Sequence, residues 1–419
     1  MGLQDIFSEE NILKYSEACL ELGLSIPRVW KRRNLDTLVI PSRGAVPFFL
    51  GTCYGLNKLI TFGGEHEEFY KNMGVQDIIA SLAKEELKIS QDVKNKKIKV
   101  IIVPFTADLN IPKFNSELDG DEFVSKTRDY WAKVTATFFK ENGERKTDPY
   151  FKSFTDFILR DLEKRGELAE AYEGFPKINR FALIDTVISG RASNDILKSF
   201  DNLANEFNNP NLKPYAFLIV DENGRKLKPQ FTPYLQLKRL REEIETQQIP
   251  RIVSEDEGAS LLGVASVVYP SVMDISRHFK LNGKPFFVGA GSWHPGYDVS
   301  EIHKESFRKF MGMIYAGIEF SFSKNYAGSG NVSNKNKFLE ARGSFLDYRS
   351  GRIKAFYLGK EADLRMFELR RDKYTPENVY ETKSHVVHIP FDEKSTQKAR
   401  ENLERITGAK FIPPKEDCP

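Results

Sequence analysis

The chain of 419 residues has a hydrophobic content of 40% and a charged content of 29%, which is typical of a globular protein with one large domain and extensions, or with two domains. Lys and Arg (62) barely outnumber Asp and Glu (59), and a net charge of +3 on this length argues against nucleic acid or an anionic membrane as a partner. The three cysteines have neither metal-ligand nor disulfide-framework spacing, and no apolar run approaches the ~18 residues of a membrane span, which together favour a cytoplasmic protein.

The first predicted elements are a helix and a strand that ends in a glycine-containing turn. Residues 9–25 show helical periodicity, and residues 35–40 (LDTLVI) predict a strand. The turn PSRGAVP follows, and a helix-like segment, FFLGTCYGL, comes after it. Gly44 in this turn allows the backbone to approach a ligand closely, and Arg43 offers a forked donor suited to phosphate oxygens. Taken alone, Arg43 is equally consistent with a surface arginine in a tight turn.

A long, largely polar interval follows this turn. Residues 97–104 (KIKVIIVP) predict a strand, because runs of Val and Ile favour a pleated sheet. Residues 123–140 predict a helix. We expect residues 105–175 to form an inserted lid or helical region. Three basic side chains of this region are either solvated helix charges or groups that reach a pyrophosphate: Lys126, Arg128 and Lys133.

The strongest signal for a ligand is the stretch 180–197, RFALIDTVISGRASNDIL. Its apolar run from Phe181 to Ile184 is typical of a strand buried on both faces, Asp185 ends that strand, and a helix is predicted after a turn of small and hydroxyl residues. This arrangement can bind a phosphate, because the turn's N–H groups and the helix dipole both favour an anion. The same residues are also consistent with a strand end and a helix cap, where Asp and Ser are common.

Strands and helices continue to alternate beyond this stretch. Residues 214–220 (PYAFLIV) predict a buried strand that ends in the turn DENG, and residues 235–246 predict a charged helix. Residues 249–254 and 261–269 could be further strands of the same sheet. The alternation predicts an α/β fold with a mainly parallel sheet flanked by helices, and ligands bind such sheets beyond the carboxyl ends of the strands.

The last third of the chain has a different pattern. Residues 301–320 predict a helix, residues 324–337 a flexible loop or linker, and residues 352–358 a strand. We therefore expect residues 1–275 to form the core, and residues 276–419 to form a hood and a C-terminal extension.

The residues ALIDTVISGRAS resemble the phosphoribosyl-pyrophosphate (PRPP) loop of type I phosphoribosyltransferases. That loop contains a hydrophobic strand, two acidic residues, three variable positions, a Thr/Ser-Gly pair and then a small or hydroxyl residue. Asp185 takes the place of the second acid, whereas Ile184 stands where the first acid is expected. Ser189 and Gly190 match the Thr/Ser-Gly pair, and at the next family hydroxyl the chain has Ala192, with Ser193 one place later. The turn PSRGAVP resembles the family's loop that touches the pyrophosphate.

The resemblance implies a type I phosphoribosyltransferase-like core that either transfers the ribose 5-phosphate group of PRPP to a nitrogenous base acceptor, with release of pyrophosphate, or binds it. Asp185 would orient the ribose hydroxyls, stabilise positive charge on the sugar and hold Mg²⁺, and Arg43 would neutralise the departing pyrophosphate. In the family's hood an aromatic ring often stacks on the base, and Trp293 is the candidate here, although a tryptophan packed on the core is the alternative. The other substrate-binding residues that the resemblance implies are Ser42, Gly44, Ala45, Thr186, Ser189, Gly190, Arg191, Ala192 and Ser193.

The missing first acid leaves two alternatives to an enzyme open. One is a non-catalytic sensor or regulatory protein of the same fold that binds PRPP or a nucleotide. The other is an α/β interaction protein whose core has lost any ligand. A homodimer is compatible with the sequence.

Overall fold

A sheet with helices on both faces lies at the centre of the part of the chain that the structure describes. The structure is a computed structural model, and it describes residues 3–41, 45–61, 90–91, 99–103, 105, 120–151, 177–254, 280–281, 284–285, 301–326 and 332–357. The α/β class and the mainly parallel sheet predicted from the sequence are confirmed.

The central sheet has the strand order β2-β3-β1-β4-β5-β6. All neighbouring pairs from β3 to β6 are parallel, and β2 lies antiparallel to β3 at one side. The strands are β1 (Thr37–Pro41), β2 (Ser90–Gln91), β3 (Lys99–Val103), β4 (Phe181–Val187), β5 (Tyr215–Val220) and β6 (Ile244–Gln248). A separate hairpin consists of β7 (Lys280–Leu281) and β8 (Lys284–Pro285).

The α-helices of the described residues surround this sheet. They are α1 (Leu3–Ile6), α2 (Glu9–Arg33), α3 (Ala45–Thr61), α4 (Gly120–Thr137), α5 (Asn142–Thr147), α6 (Arg191–Glu206), α7 (Thr232–Leu240), α8 (Glu301–Tyr326) and α9 (Val332–Tyr357). Short 3₁₀ turns span Pro210–Leu212 and Asp221–Gly224. None of the helices in the described ranges combines the length and the apolar character needed to cross a membrane.

Helices α3 and α6 lie on opposite faces of the sheet. After β1 and α3 the chain forms β3 on one side of the β1–β4 pair, and after β4 and α6 it forms β5 on the other side. Because such crossovers are right-handed, the two helices are placed on opposite faces. Helices α2 and α8 pack beside α3, and α4 packs against α6. Strands β1, β4 and β5 are therefore covered on both faces and are buried along their whole length, which explains their continuous apolar runs.

Helix α8 belongs to the same apolar core as the N-terminal helices. It packs against α2 and α3, and Ile314 at its centre is fully buried. Two glycines allow the close approach: a Cβ added at Gly51 would lie 2.7 Å from Cys19 Sγ, and one at Gly317 would lie 2.5 Å from Ser16 Oγ. Residues from the region expected to form an extension thus stabilise the helical layer on one face of the sheet.

The strand predicted at residues 352–358 is wrong over residues 352–357, which end helix α9. The linker predicted at residues 324–337 is also wrong in part, because α8 continues to Tyr326 and α9 begins at Val332. Tertiary packing explains both differences: Phe345 of α9 is fully buried and makes an edge contact with Phe7, with ring centroids 4.9 Å apart. Burying such a face stabilises a helix whose own sequence is polar.

The last strand of the sheet lies earlier than predicted. β6 precedes residues 249–254, where the strand was expected, and α7 ends before the predicted helix of residues 235–246 does. Only Ile244 of β6 is buried, so this strand has no apolar run that would predict it. Its parallel pairing with β5 defines it as a strand. The strand predicted at residues 261–269 lies outside the described residues.

Asp36 joins the amino ends of β1 and β4. Its carboxylate accepts hydrogen bonds from the backbone N–H groups of Asn179 (3.1 Å) and Arg180 (3.2 Å) and from Asn179 Nδ2 (2.8 Å). Its own backbone N–H donates to the Arg180 carbonyl at 2.9 Å. The two central strands are therefore held together at the end where they begin to pair.

We expect Asp36→Ala to lower the free energy of unfolding by about 1 kcal/mol, because the exposed N–H groups of Asn179 and Arg180 exchange a charged acceptor for water. Asp36→Asn, which keeps one carbonyl oxygen as an acceptor, should lose less. Urea unfolding of the two variants and the parent measures the difference. Equal midpoints for Asp36→Ala and the parent would show that the carboxylate does not hold the strands together.

Candidate functional site

The sheet opens at its carboxyl edge between β1 and β4. These two strands pair in parallel as far as Val39 and Leu183. Beyond these residues β1 stays paired with β3 to its last residue, Pro41, and β4 stays paired with β5 to its last residue, Val187. Each strand then follows its outer neighbour, so β1 and β4 separate beyond this point, and we refer to the place of separation as the crevice. Open parallel sheets bind ligands at such a switch point.

Both turns that the sequence singled out leave the sheet at this edge. β1 leads to residues 42–44, which lie outside the described residues, and the chain resumes at Ala45, the buried first residue of α3. β4 leads through Ser189 and Gly190 into α6. Since β1 and β4 are parallel neighbours, both turns start from the same side of the molecule.

Asp185 lies within β4, two residues before the strand ends at Val187, so the prediction that it ends the strand is wrong; it is 6% exposed. Its Oδ2 accepts a hydrogen bond from Ser193 Oγ at 2.6 Å, and its Oδ1 accepts one from the backbone N–H of Thr186 at 2.9 Å. Burial raises the pKa of Asp185 to about 6, and the two hydrogen bonds and the charge of Arg128 oppose that rise. This carboxylate therefore links β4 to the first turn of α6 and exchanges its proton near neutral pH.

The first turn of α6 is suited to an anion. It is preceded by Gly190 in the left-handed conformation (φ 81°), where a Cβ would lie 3.2 Å from Leu227 Cδ2. Asn194 N–H donates the first backbone hydrogen bond of the helix, to the Gly190 carbonyl at 3.0 Å. The N–H groups of Ala192 and Ser193 come before it in the chain, where N–H groups have no acceptor within the helix. Gly190 has no side chain to cap them, and the helix dipole adds partial positive charge there.

A buried ion pair fixes the next turn of α6 to α4. Arg128 Nη1 donates to Asp195 Oδ2 at 2.7 Å, and the two side chains are 10% and 14% exposed. Ser125 Oγ donates to the same oxygen at 3.1 Å, and Arg191 Nε lies 3.8 Å from it. Burial lowers the pKa of Arg128, and Asp195 opposes this effect. Arg128 Nε is buried without a hydrogen-bond partner among the described residues.

The interpretation of Arg128 as a solvated helix charge is therefore wrong. Lys133 fits that interpretation, since it forms a surface ion pair with Asp129 at 2.7 Å, one helical turn away. The side chain of Lys126 lies outside the described residues. The spacing of Arg191 and Asp195, four residues apart on a helix, is the sequence signal that could have drawn attention to the buried acid.

Ile184 occupies the position of the expected first acid and contributes nothing polar to the crevice. Successive residues of a strand point to opposite faces, so Ile184 and Thr186 face away from Asp185. Ile184 is fully buried there. Asp185 is thus the acid that β4 presents toward α6.

The structure brings most of the predicted residues of the second turn together. Asp185 and the start of α6 are in contact through Ser193, and Thr186 contributes its backbone N–H. Ala45 begins α3 at the same edge of the sheet. Four predicted residues lie outside the described residues: Ser42, Arg43, Gly44 and Trp293.

The magnesium site that the resemblance implies would rest on Asp185. Each of its oxygens accepts one hydrogen bond and keeps a second lone pair, and Mg²⁺ is usually held by one or two carboxylates together with substrate phosphates and water. Across the described ranges no group of three or more His, Cys, Asp or Glu side chains is placed to hold a metal ion. The assignment of Asp185 as a ligand of Mg²⁺ therefore stays a prediction.

The turn after β5 supports the Gly190 turn. The backbone N–H of Lys228 donates to the Ser189 carbonyl at 3.0 Å. Asp221, at the end of β5, is 2% exposed and accepts hydrogen bonds from Ile252 N–H at 2.6 Å and from Lys226 Nζ at 3.0 Å. Its carboxylate is occupied by these donors, so we interpret the turn after β5 as structural support for the Gly190 turn.

A cavity of about 160 Å³ lies elsewhere, between α2 and strands β5 and β6. Its acids have partners: Glu21 accepts a hydrogen bond from Gln247, and Glu245 accepts one from Tyr215. Its described lining does not include the Gly190 turn, and the crevice between β1 and β4 is the better candidate for a functional site.

Replacing Arg128 by Met should lower the free energy of unfolding by about 2–3 kcal/mol, because the partly buried Asp195 would lose its main partner and keep only Ser125 and the more distant Arg191. The double variant Arg128→Met/Asp195→Leu should recover most of this loss, since a packed apolar pair can replace a buried ion pair. Urea unfolding of the parent and both variants provides the comparison. A double variant as unstable as the single one would contradict the assignment.

No protein-family model, curated protein or solved structure matches the chain. What the protein does must therefore be inferred from the arrangement of its own residues.

Proposed function

We propose that the chain binds a phosphorylated ribose, either PRPP or a nucleotide, in the crevice between β1 and β4. The observation that carries this proposal is the separation of these strands beyond Val39 and Leu183, directly beside Asp185 and the start of α6. A crevice at a switch point, a helix N-terminus and a buried carboxylate together suit a ligand with both a phosphate and sugar hydroxyls.

The phosphate would lie at the first turn of α6. The N–H groups of Ala192 and Ser193 would donate to its oxygens, and the guanidinium of Arg191, which is half-buried, would add charge-assisted contacts. Gly190 supports this placement because its left-handed conformation turns the chain sharply into α6 and provides no capping side chain for the N–H groups.

The ribose would lie toward Asp185. A carboxylate at the end of a parallel strand can accept hydrogen bonds from the two ribose hydroxyls, as in the sugar-binding sites of other open sheets. Asp185 is 6% exposed, so it can reach a ligand that enters the crevice while remaining shielded from bulk water.

Binding without turnover is the function that this geometry supports best. Ile184 is fully buried on the other face of β4, so a second carboxylate that could share the ribose is missing from this strand. Each such electrostatic contact is worth roughly 2–4 kcal/mol in a dry site. A sensor or regulatory protein needs only the affinity of the site for its ligand. It does not need a second carboxylate that stabilises a transition state.

Transfer of the ribose 5-phosphate group to a nitrogenous base, with release of pyrophosphate, is a second candidate. The observation that favours it is Asp185, whose pKa is raised by burial to about 6 and which is therefore ionised above that pH in a shielded site. Such a charge could stabilise the positive charge that grows on the ribose as the bond to pyrophosphate breaks.

Calorimetric titration with PRPP tests binding, and Gly190→Ala should weaken it at least tenfold, because the strained φ of 81° and a Cβ 3.2 Å from Leu227 Cδ2 would shift the backbone N–H groups of the phosphate turn. Gly224→Ala is the matched control, because Gly224 also has a positive φ (83°) but lies after β5. Both variants should lose about 1 kcal/mol of stability from backbone strain. Equal affinities of the two variants for PRPP would contradict the placement of the phosphate.

Pyrophosphate release in the presence of PRPP and a panel of nitrogenous bases separates the two candidates. For a binding protein, we expect PRPP to be bound without base-dependent release. For a transferase, release should depend on one base, and Asp185→Asn should abolish it while PRPP binding persists, because the variant loses the negative charge but not the phosphate turn. Release that is unchanged in Asp185→Asn would exclude this carboxylate from catalysis.

A further inference from the structure

Strand β6 has one edge without a partner strand among the described residues. The central sheet ends at β6, which pairs only with β5. The Glu243 carbonyl accepts a hydrogen bond from β5 at 3.1 Å, and the Ile249 N–H donates one to β5 at 3.0 Å. Backbone groups alternate in direction along a strand, so every second residue from Glu243 to Ile249 bonds to β5. Thr246 and Gln248 therefore point their N–H and C=O groups away from the sheet.

These outward backbone groups are available to an added strand. Thr246 is half-buried and Gln248 is exposed. Within the described ranges their backbone N–H and C=O groups have no hydrogen-bond partner. Extended peptides bind to sheet edges of this kind by forming one more strand, and their main-chain hydrogen bonds provide affinity.

The cavity of about 160 Å³ lies beside this edge, on the face of β6 that α2 covers. Its floor is apolar, because it contains the buried side chains of Leu22, Phe217 and Ile219. Pockets for small molecules usually have volumes of about 300–1,000 Å³, so this cavity is suited to a single long side chain. A strand added to β6 would direct every second side chain toward this face.

Two carboxylates also line the cavity. Glu21 accepts a hydrogen bond from Gln247, and Glu245 accepts one from the Tyr215 hydroxyl at 3.4 Å. Each of these bonds uses one carboxylate oxygen, and the other oxygen has no partner among the described residues. Glu21 is exposed and Glu245 is half-buried, so a group that enters from solvent can reach both.

Two basic side chains of α2 near the cavity are bound elsewhere. Arg28 donates to the Leu24 carbonyl at 3.2 Å and to Ser25 Oγ at 3.0 Å. Arg33 donates to the Glu242 carbonyl at 2.6 Å. The described lining of the cavity thus has two acids and no base, which favours a positively charged occupant.

We propose that β6 binds an extended peptide segment of another protein as an additional strand, and that a lysine or arginine side chain of this segment fills the cavity. The peptide backbone would exchange hydrogen bonds with Thr246 and Gln248. The aliphatic part of the basic side chain would pack on Leu22, and its charged end would donate to Glu21 and Glu245. This inference does not depend on the proposed function, because β5 lies between β6 and the strands of the crevice.

The probe is the labelled peptide acetyl-Thr-Val-Lys-Val-Thr-amide, whose binding to the full chain is measured by fluorescence anisotropy. Replacing its central Lys by Glu should weaken binding at least tenfold, because a third carboxylate would then face Glu21 and Glu245. Replacing the Lys by norleucine, which keeps the apolar stem, should give an intermediate affinity. Equal affinities for the Lys and Glu peptides, or no binding of the Lys peptide, would overturn the inference.

Two N-methylated forms of the Lys peptide test the backbone hydrogen bonds without a protein variant. In one form the first, third and fifth residues carry the methyl group, and in the other the second and fourth residues do. Only one of these sets of N–H groups can face β6, so one form should bind about tenfold more weakly than the other. Equal affinities of the two forms would contradict strand addition.

Glu245→Gln and Glu21→Gln each remove one charge but keep an oxygen that can accept the existing hydrogen bond. Each variant should weaken binding of the Lys peptide about fivefold and leave binding of the norleucine peptide unchanged. Glu206→Gln is the matched control, because Glu206 is exposed at the end of α6, on the opposite face of the sheet. A loss in Glu206→Gln as large as the loss in Glu245→Gln would show that the cavity does not hold the cation.

Thr246→Pro removes an outward N–H that β5 does not use, and edge strands accept proline at such positions. We expect the urea midpoint of this variant to stay close to that of the parent, while binding of the Lys peptide falls at least tenfold. A folded Thr246→Pro variant that binds the peptide like the parent would contradict the inference. Sedimentation of the parent tests the other occupant, since a dimer that the peptide does not dissociate and that Thr246→Pro abolishes would assign this edge to a second copy of the chain.

Discussion

The pairing between β1 and β4 decides where this protein can hold a ligand. Asp36 joins the two strands at their amino ends, and beyond Val39 and Leu183 each strand follows its outer neighbour instead. A parallel sheet whose strands are bonded at one end and separate at the other has a crevice with a defined position and direction. The turn after β4, the first turn of α6 and Asp185 are all placed by this separation.

Burial is the second constraint, because it sets the chemistry of Asp185. A carboxylate taken out of water must be compensated, and here a hydroxyl, a backbone N–H and a nearby guanidinium share that task. The guanidinium belongs to Arg128, whose own charge is balanced by Asp195. Buried ion pairs often contribute little net stability, so we interpret this pair as the group that sets the orientation of α6 at the crevice.

Much of the architecture could be predicted from local patterns, because a strand buried on both faces needs a continuous apolar run. Phe181–Val187 and Tyr215–Val220 have such runs and are strands of the sheet. Prediction failed where packing overrides composition: β6 is polar and is defined by its pairing with β5, and α9 is held by buried aromatic residues. The order of the strands, and hence the crevice, could not be predicted from one sequence.

By itself, the sequence determined the α/β class, the acid in β4 and the small-residue turn that leads into α6, since each depends on neighbours along the chain. Only the tertiary structure decided that Arg128 is buried with Asp195 rather than solvated, and that the Ser193 hydroxyl donates to Asp185. The reason is physical: the partner of a polar side chain and the direction of its hydrogen bond depend on which groups are brought together out of water, and a linear pattern does not record that contact.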